Sequence, residues 1–89
     1  MKLRYKLSVN KIAQQYVAVA VGDDADKFKN IIFLNGVACH VVKLLQQDKN
    51  ITDIVNDVCK HFDGNRDIIV LEINRFIDKM ETLGLIDNE

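Results

Sequence analysis

The chain has no proline, only two cysteines, and four glycines that stand far apart at Gly22, Gly36, Gly64 and Gly84. Each shortage closes off a class of protein. Isolated glycines supply no glycine-rich phosphate loop, which needs several backbone N–H groups gathered around one anion. Two thiols, Cys39 and Cys59, with no secretory segment ahead of them, point to free cysteines and a cytoplasmic setting. No apolar run has the length needed to cross a bilayer. Twelve Lys and Arg against thirteen Asp and Glu leave a formal net charge of −1. The cationic excess that drives nucleic-acid binding is therefore missing. With no repeat and no low-complexity tract, residues 1–89 read as a single domain.

What is present is apolar. The hydrophobic fraction is 48 %, enough for a core, although a domain this small buries only part of its unfolded surface. Lys2, Arg4, Lys6 and Lys11 make the start basic, and the stretch after Arg75 leans acidic. Both read as solvated faces of ordinary elements.

Residues 2–9 alternate polar and apolar without a slip, which predicts a strand with Leu3, Tyr5, Leu7 and Val9 on one face. A polar break over residues 10–15 precedes a β-branched run at 16–21, a second strand expected to pair with the first. Turn chemistry at 22–26 leads to a third strand at 30–34. The period then becomes helical. Asn35 can cap a first helix with Val37, Ala38, Val41, Leu44 and Leu45 inward. Thr52 is a possible cap for a second, with Ile51, Ile54, Val55, Val58 and Phe62 on one side. Residues 63–65 end that helix, with Gly64 suited to the left-handed closing conformation. A third helix spans residues 66–83 with Ile69, Ile73, Phe76, Met80 and Leu83 inward and Gly84 as its stop; Leu85 and Ile86 fold back on the core. Three strands followed by three helices predict an α+β fold, a small antiparallel sheet with helices on one face.

Two segments carry more apolar surface than one core needs. Ile31, Ile32, Phe33 and Leu34 are apolar on both faces of their strand. If that strand lies at a sheet edge, its free backbone groups and side chains attract another strand. Ile68, Ile69, Val70 and Leu71 span more than a helical turn, and Leu71 falls opposite the Ile69–Ile73–Phe76 stripe. Ile68 is displaced toward Arg75 and Lys79. These surpluses fit packing under a loop, a homodimer, or a groove that accepts an extended peptide.

Other readings have less behind them. A winged-helix regulator would place residues 65–75 in the DNA major groove, yet that segment balances two arginines against Asp67 and Glu72 and is mostly apolar. Cys39-His40 and Cys59-x-His61 could bind zinc if their helices met, but the spacing matches no usual knuckle and Cys39 lies away from the core stripe. No metal site and no cofactor are assigned. No nucleophile–base constellation is visible, so no catalytic residue is assigned and the chain does not read as an enzyme.

The chain resembles the PqqD-like proteins, named for pyrroloquinoline quinone biosynthesis protein D, and the wider class of precursor-peptide recognition elements. The resemblance covers most of the chain and is strongest from Ile31 onward. Its carriers are Ile32-Phe33-Leu34-Asn35 entering a helix that ends Lys43-Leu44-Leu45, Ile51-Thr52-Asp53-Ile54-Val55, His61-Phe62-Asp63, Phe76-Ile77, and Leu83-Gly84-Leu85-Ile86. Val42 stands where many members carry a large aromatic, and the N-terminal third lacks the motifs of a protein dedicated to pyrroloquinoline quinone.

The resemblance implies a winged helix-turn-helix with a three-stranded sheet and no catalysis. It implies binding of the leader of a ribosomally made precursor peptide as an added strand between third strand and third helix. The leader is then presented to a modifying enzyme, often a radical S-adenosylmethionine (radical SAM) maturase. On this reading Asn30, Ile31, Ile32, Phe33 and Leu34 take the strand, Ile68 and Leu71 contact its side chains, and Arg75 meets an acidic leader residue, with Lys79 the weaker candidate. No nucleic acid and no membrane enters this reading. The alternatives are a winged-helix DNA-binding transcriptional regulator and a structural homodimer paired through the third strand.

Overall fold

The computed structural model describes residues 1–88. Strand β1 is Lys2–Leu3, β2 is Leu7–Ile12 and β3 is Gln15–Ala20; after a 3₁₀ turn at Gly22–Asp24 comes β4, Ile32–Leu34. Helices α1 (Gly36–Leu44), α2 (Ile51–His61) and α3 (Arg66–Thr82) follow, and β5, Ile86–Asp87, closes the series. An antiparallel sheet in the order β2-β3-β4 followed by three helices is the α+β arrangement expected; β1 and β5 form a separate two-stranded antiparallel ladder.

The first expected strand is thus two strands in two sheets. Its alternation holds, with Leu3, Tyr5, Leu7 and Val9 more buried than Lys2, Arg4 and Lys6. Residues 4–6, however, leave the ladder for distant partners. The Arg4 N–H donates to the Leu85 carbonyl at 2.8 Å, and the Lys6 N–H donates to the Asp24 carboxylate at 2.8 Å. That bond is the main reason the Asp24 carboxyl lies below the usual carboxylate range. The break expected over residues 10–15 is also absent, because β2 runs on to Ile12 and pairs it with Gln15. Ala13 takes a left-handed φ of 55° in the two-residue turn between them.

Helix ends follow local chemistry. Asn35 accepts the Ala38 N–H at 2.8 Å and starts α1. The α2 cap is Asn50, which accepts the Asp53 N–H, so Thr52 lies inside the helix. Asn65 caps α3 by accepting from Asp67 and Ile68. Gly64 does not close α2 in the left-handed conformation: its φ is 141°, and α2 already ends at His61. Gly84 does close α3 (φ 77°). Its N–H reaches the Glu81 carbonyl and the Leu85 N–H reaches Met80, the paired bonds of a Schellman motif.

One apolar core draws on both sheets and all three helices. Helix α1 packs on β4, α2 and α3 together, so burial spreads beyond one stripe to include Cys39 and Val42. Cys39 therefore belongs to the core, contrary to the expectation from α1's periodicity. On α3 the buried positions are Ile69, Ile73, Ile77 and Met80. Phe76 is half-buried and Leu83 exposed, because the turn at Gly84 sends Leu85 and Ile86 into the end of the core instead. Phe28, in the connection before β4, is buried too, with its ring 6.5 Å from that of Tyr5. Among the described residues, no helix is long and apolar enough to cross a membrane.

Candidate functional site

Strand β4 pairs with β3 on one side only, through Tyr16–Leu34, Val17–Phe33 and Ala18–Ile32. Its other side is a free edge of the sheet. In an antiparallel ladder alternate residues point their N–H and C=O to opposite sides, so part of the β4 backbone is directed at that open edge. The pleat sets the side chains. Ile32 and Leu34 enter the core, while Ile31 and Phe33 stand 59 % and 62 % exposed. Proteins ordinarily blunt such an edge with charge or proline. Here the neighbouring positions are apolar instead.

Helix α3 repeats the arrangement in helical period. Ile69 and Ile73 lie against the core, and Ile68 and Leu71 stand 57 % and 49 % exposed on the outer side. The Asn65 cap fixes this register, since one of its two bonds is to the Ile68 N–H. Arg75 lies two turns beyond Ile68 on roughly the same face, and Lys79 a further turn on. Neither forms an ion pair with another described residue within 4.0 Å. Ile31, Phe33, Ile68 and Leu71 are thus four of the six large exposed hydrophobics among the described residues. The others are Leu83, beside the α3 stop, and Ile12, at the end of β2. The exposure of Ile12 is not legible in the sequence, because its stretch reads as a polar loop.

The β4 and α3 patches are open surfaces that share a core beneath them. Concave sites occur elsewhere. A polar cavity of about 420 Å³ is lined by Leu44, Lys49, Asp53, Asn56, Asp57 and Lys60, and one of about 240 Å³ by Tyr16 and residues of α1 with Phe62. An open apolar edge suits a chain segment that supplies its own backbone hydrogen bonds, as an added strand does.

The residues weighed as a zinc set separate. Cys39 is buried and Cys59 half-buried, both as free thiols. His40 and His61 do meet, with Asp57 as the third member of their group.

The architecture is that of an α+β protein whose sheet edge and last helix are both left apolar on the outside. The sequence matches coenzyme PQQ synthesis protein D (PqqD) over residues 15–86, and the chain belongs to that family. Among solved structures it is similar to one described as TbiB1 in complex with the TbiA(beta) leader peptide. The TM-score is 0.72 at 17 % identity, covering 100 % of this chain and 98 % of that one, a likeness of fold. No curated protein matches the chain.

Proposed function

We propose that this protein is a non-catalytic peptide chaperone. It captures the leader of a ribosomally made precursor peptide as a strand added to β4, and presents it to a modifying enzyme of the radical SAM class. The observation that carries this reading is the unpaired β4 edge flanked by exposed Ile31 and Phe33. Membership of the PqqD family supports it, as does the likeness to TbiB1, whose structure holds a leader peptide.

In this reading the backbone of residues 30–34 supplies ladder hydrogen bonds, which give affinity with little regard to sequence. Selectivity comes from side chains, with Ile31, Phe33, Ile68 and Leu71 accepting apolar leader positions and Arg75 an acidic one. Such a carrier needs no reacting group of its own, because its contribution is to raise the local concentration of substrate at the maturase.

An NMR shift titration of the ¹⁵N-labelled protein tests the proposal, using the leader of a precursor peptide encoded beside it. The expected result is a set of shifts confined to residues 30–34 and 68–75. Shifts centred on α1 and α2 would put the binding face elsewhere, and no shift with a neighbouring leader would remove the function.

A further inference from the structure

Helix α2 carries Asp57 and His61 four residues apart, so their side chains lie one turn apart on the same face. Helix α1 brings His40 to that face. The His40 Nε2 lies 2.9 Å from Asp57 Oδ1, and His61 Nδ1 lies 3.0 Å from the same oxygen and 2.9 Å from the Asp57 main-chain oxygen. The two imidazole rings are 4.7 Å apart, tilted by 41°, and the His40 ring meets Phe62 edge-on at 5.7 Å. One donor atom from each of the three residues falls within 4.8 Å of the other two. The His40 hydrogen bond is the largest influence holding the Asp57 carboxyl below its usual range. Asp57 is therefore an anion at neutral pH.

We propose that His40, Asp57 and His61 form a binding site for one divalent transition-metal ion of the zinc class, joining α1 to α2. Two imidazole nitrogens and one carboxylate oxygen are the donors such ions take, at about 2.0–2.2 Å each, with a fourth position left to water. A tetrahedral set at those lengths spaces its donors by about 3.3 Å. The 2.9 and 3.0 Å nitrogen–oxygen separations here must open by a few tenths of an ångström. The two imidazole nitrogens, which lie within 4.8 Å of each other, must draw together, and the protons they now donate to Asp57 must leave to solvent as the ion enters. Mg²⁺ and Ca²⁺ are disfavoured, because both prefer shells made of oxygen. The thiols take no part: neither Cys39 nor Cys59 belongs to the group.

A bound ion would tie the middle of α1 to the last turn of α2. Only Asn35 separates α1 from β4, so occupancy would stiffen the helix next to the open strand. This inference does not depend on the peptide-binding reading.

The test is calorimetric titration of the untagged full chain with ZnCl2, with CoCl2 absorption as a check on coordination and MgCl2 as the negative ion. The expected result is one Zn²⁺ per chain and a rise in thermal midpoint. Zinc at a hundredfold excess over its Kd would raise the folded-to-unfolded ratio about 100-fold. Affinity should persist in a Cys39→Ala/Cys59→Ser chain and fall at least about 10-fold in His40→Gln and in His61→Gln, as loss of a ligand requires. Should either histidine variant fail to fold, Asp57→Asn is the alternative, since it keeps a hydrogen-bond acceptor but loses the anionic ligand. Zinc binding that survives both histidine changes, that vanishes with the thiols, or that is weaker than about 1 mM in the parent chain would overturn the site and leave a hydrogen-bonded latch.

Discussion

Leu71 is half exposed on the outer side of α3, opposite a core that Ile69 and Ile73 already fill. Its replacement should therefore separate binding from folding. Leu71→Asp removes an apolar side chain whose burial against a peptide is worth about 2 kcal/mol, and puts a carboxylate in its place. Leader affinity should drop by at least about 30-fold, while the unfolding free energy moves by no more than about 1 kcal/mol. Calorimetry and urea unfolding on the same preparation would read both, and unaltered affinity would put the binding face elsewhere. Asp24 acts in the opposite sense, on the fold alone. Its carboxylate accepts the Lys6 N–H and pairs with Lys27 at 3.3 Å, and its folded pKa is depressed. The stabilisation it gives is fully present above the unfolded value, near pH 4, and fades as pH falls through the folded value. Asp24→Ala should lower the urea midpoint at pH 7 and flatten its decline below about pH 4. A variant with the parent's acid limb would show that the contact carries no linkage.

The β2–β3 hairpin turns through Ala13 at φ 55°, a region where a Cβ costs roughly 1–2 kcal/mol. Ala13→Gly removes that cost and adds about 0.5–1 kcal/mol of backbone entropy to be lost on folding. The net gain of about 0.5–1 kcal/mol should raise Tm by about 2–8 °C in a domain of this size, and a lower Tm would show that the turn is unstrained. The absence of turn chemistry at Ala13-Gln14 also explains why the two-residue turn was not legible in the sequence, although the pairing of its two strands was, as were the Asn35 cap and the Gly84 stop. Caps are set by the few residues beside them. The split of residues 2–9 between two sheets is set by Leu85 and Asp24, far along the chain, and period-2 alternation reads the same whichever partner a strand has. The surplus on β4 and α3 was legible for a geometric reason: four consecutive apolar residues on a strand or a helix cannot all face one core. The meeting of His40 with Asp57 and His61 depends on how α1 crosses α2, which periodicity does not encode.

For the molecule as a whole, an apolar sheet edge combined with a net charge of −1 leaves little to keep two copies apart. The free protein should self-associate weakly through β4, and a saturating leader peptide should return it to monomer, since both occupants need the same backbone groups. Sedimentation velocity over a concentration series, with and without leader, would test this. A dimer that persists with peptide bound would place the self-contact on another face.

The β1–β5 ladder adds a consequence for how the chain comes together. Pairing Lys2 with Asp87 closes nearly the whole chain into one loop, whereas β4 meets β3 across residues 21–31 alone and is continuous with α1 through Asn35. Long-loop contacts are entropically late, forming once the rest of the structure has brought their ends near, and they are the first to open. Fraying should thus begin in the β1–β5 ladder, which is separate from the sheet that carries the open strand.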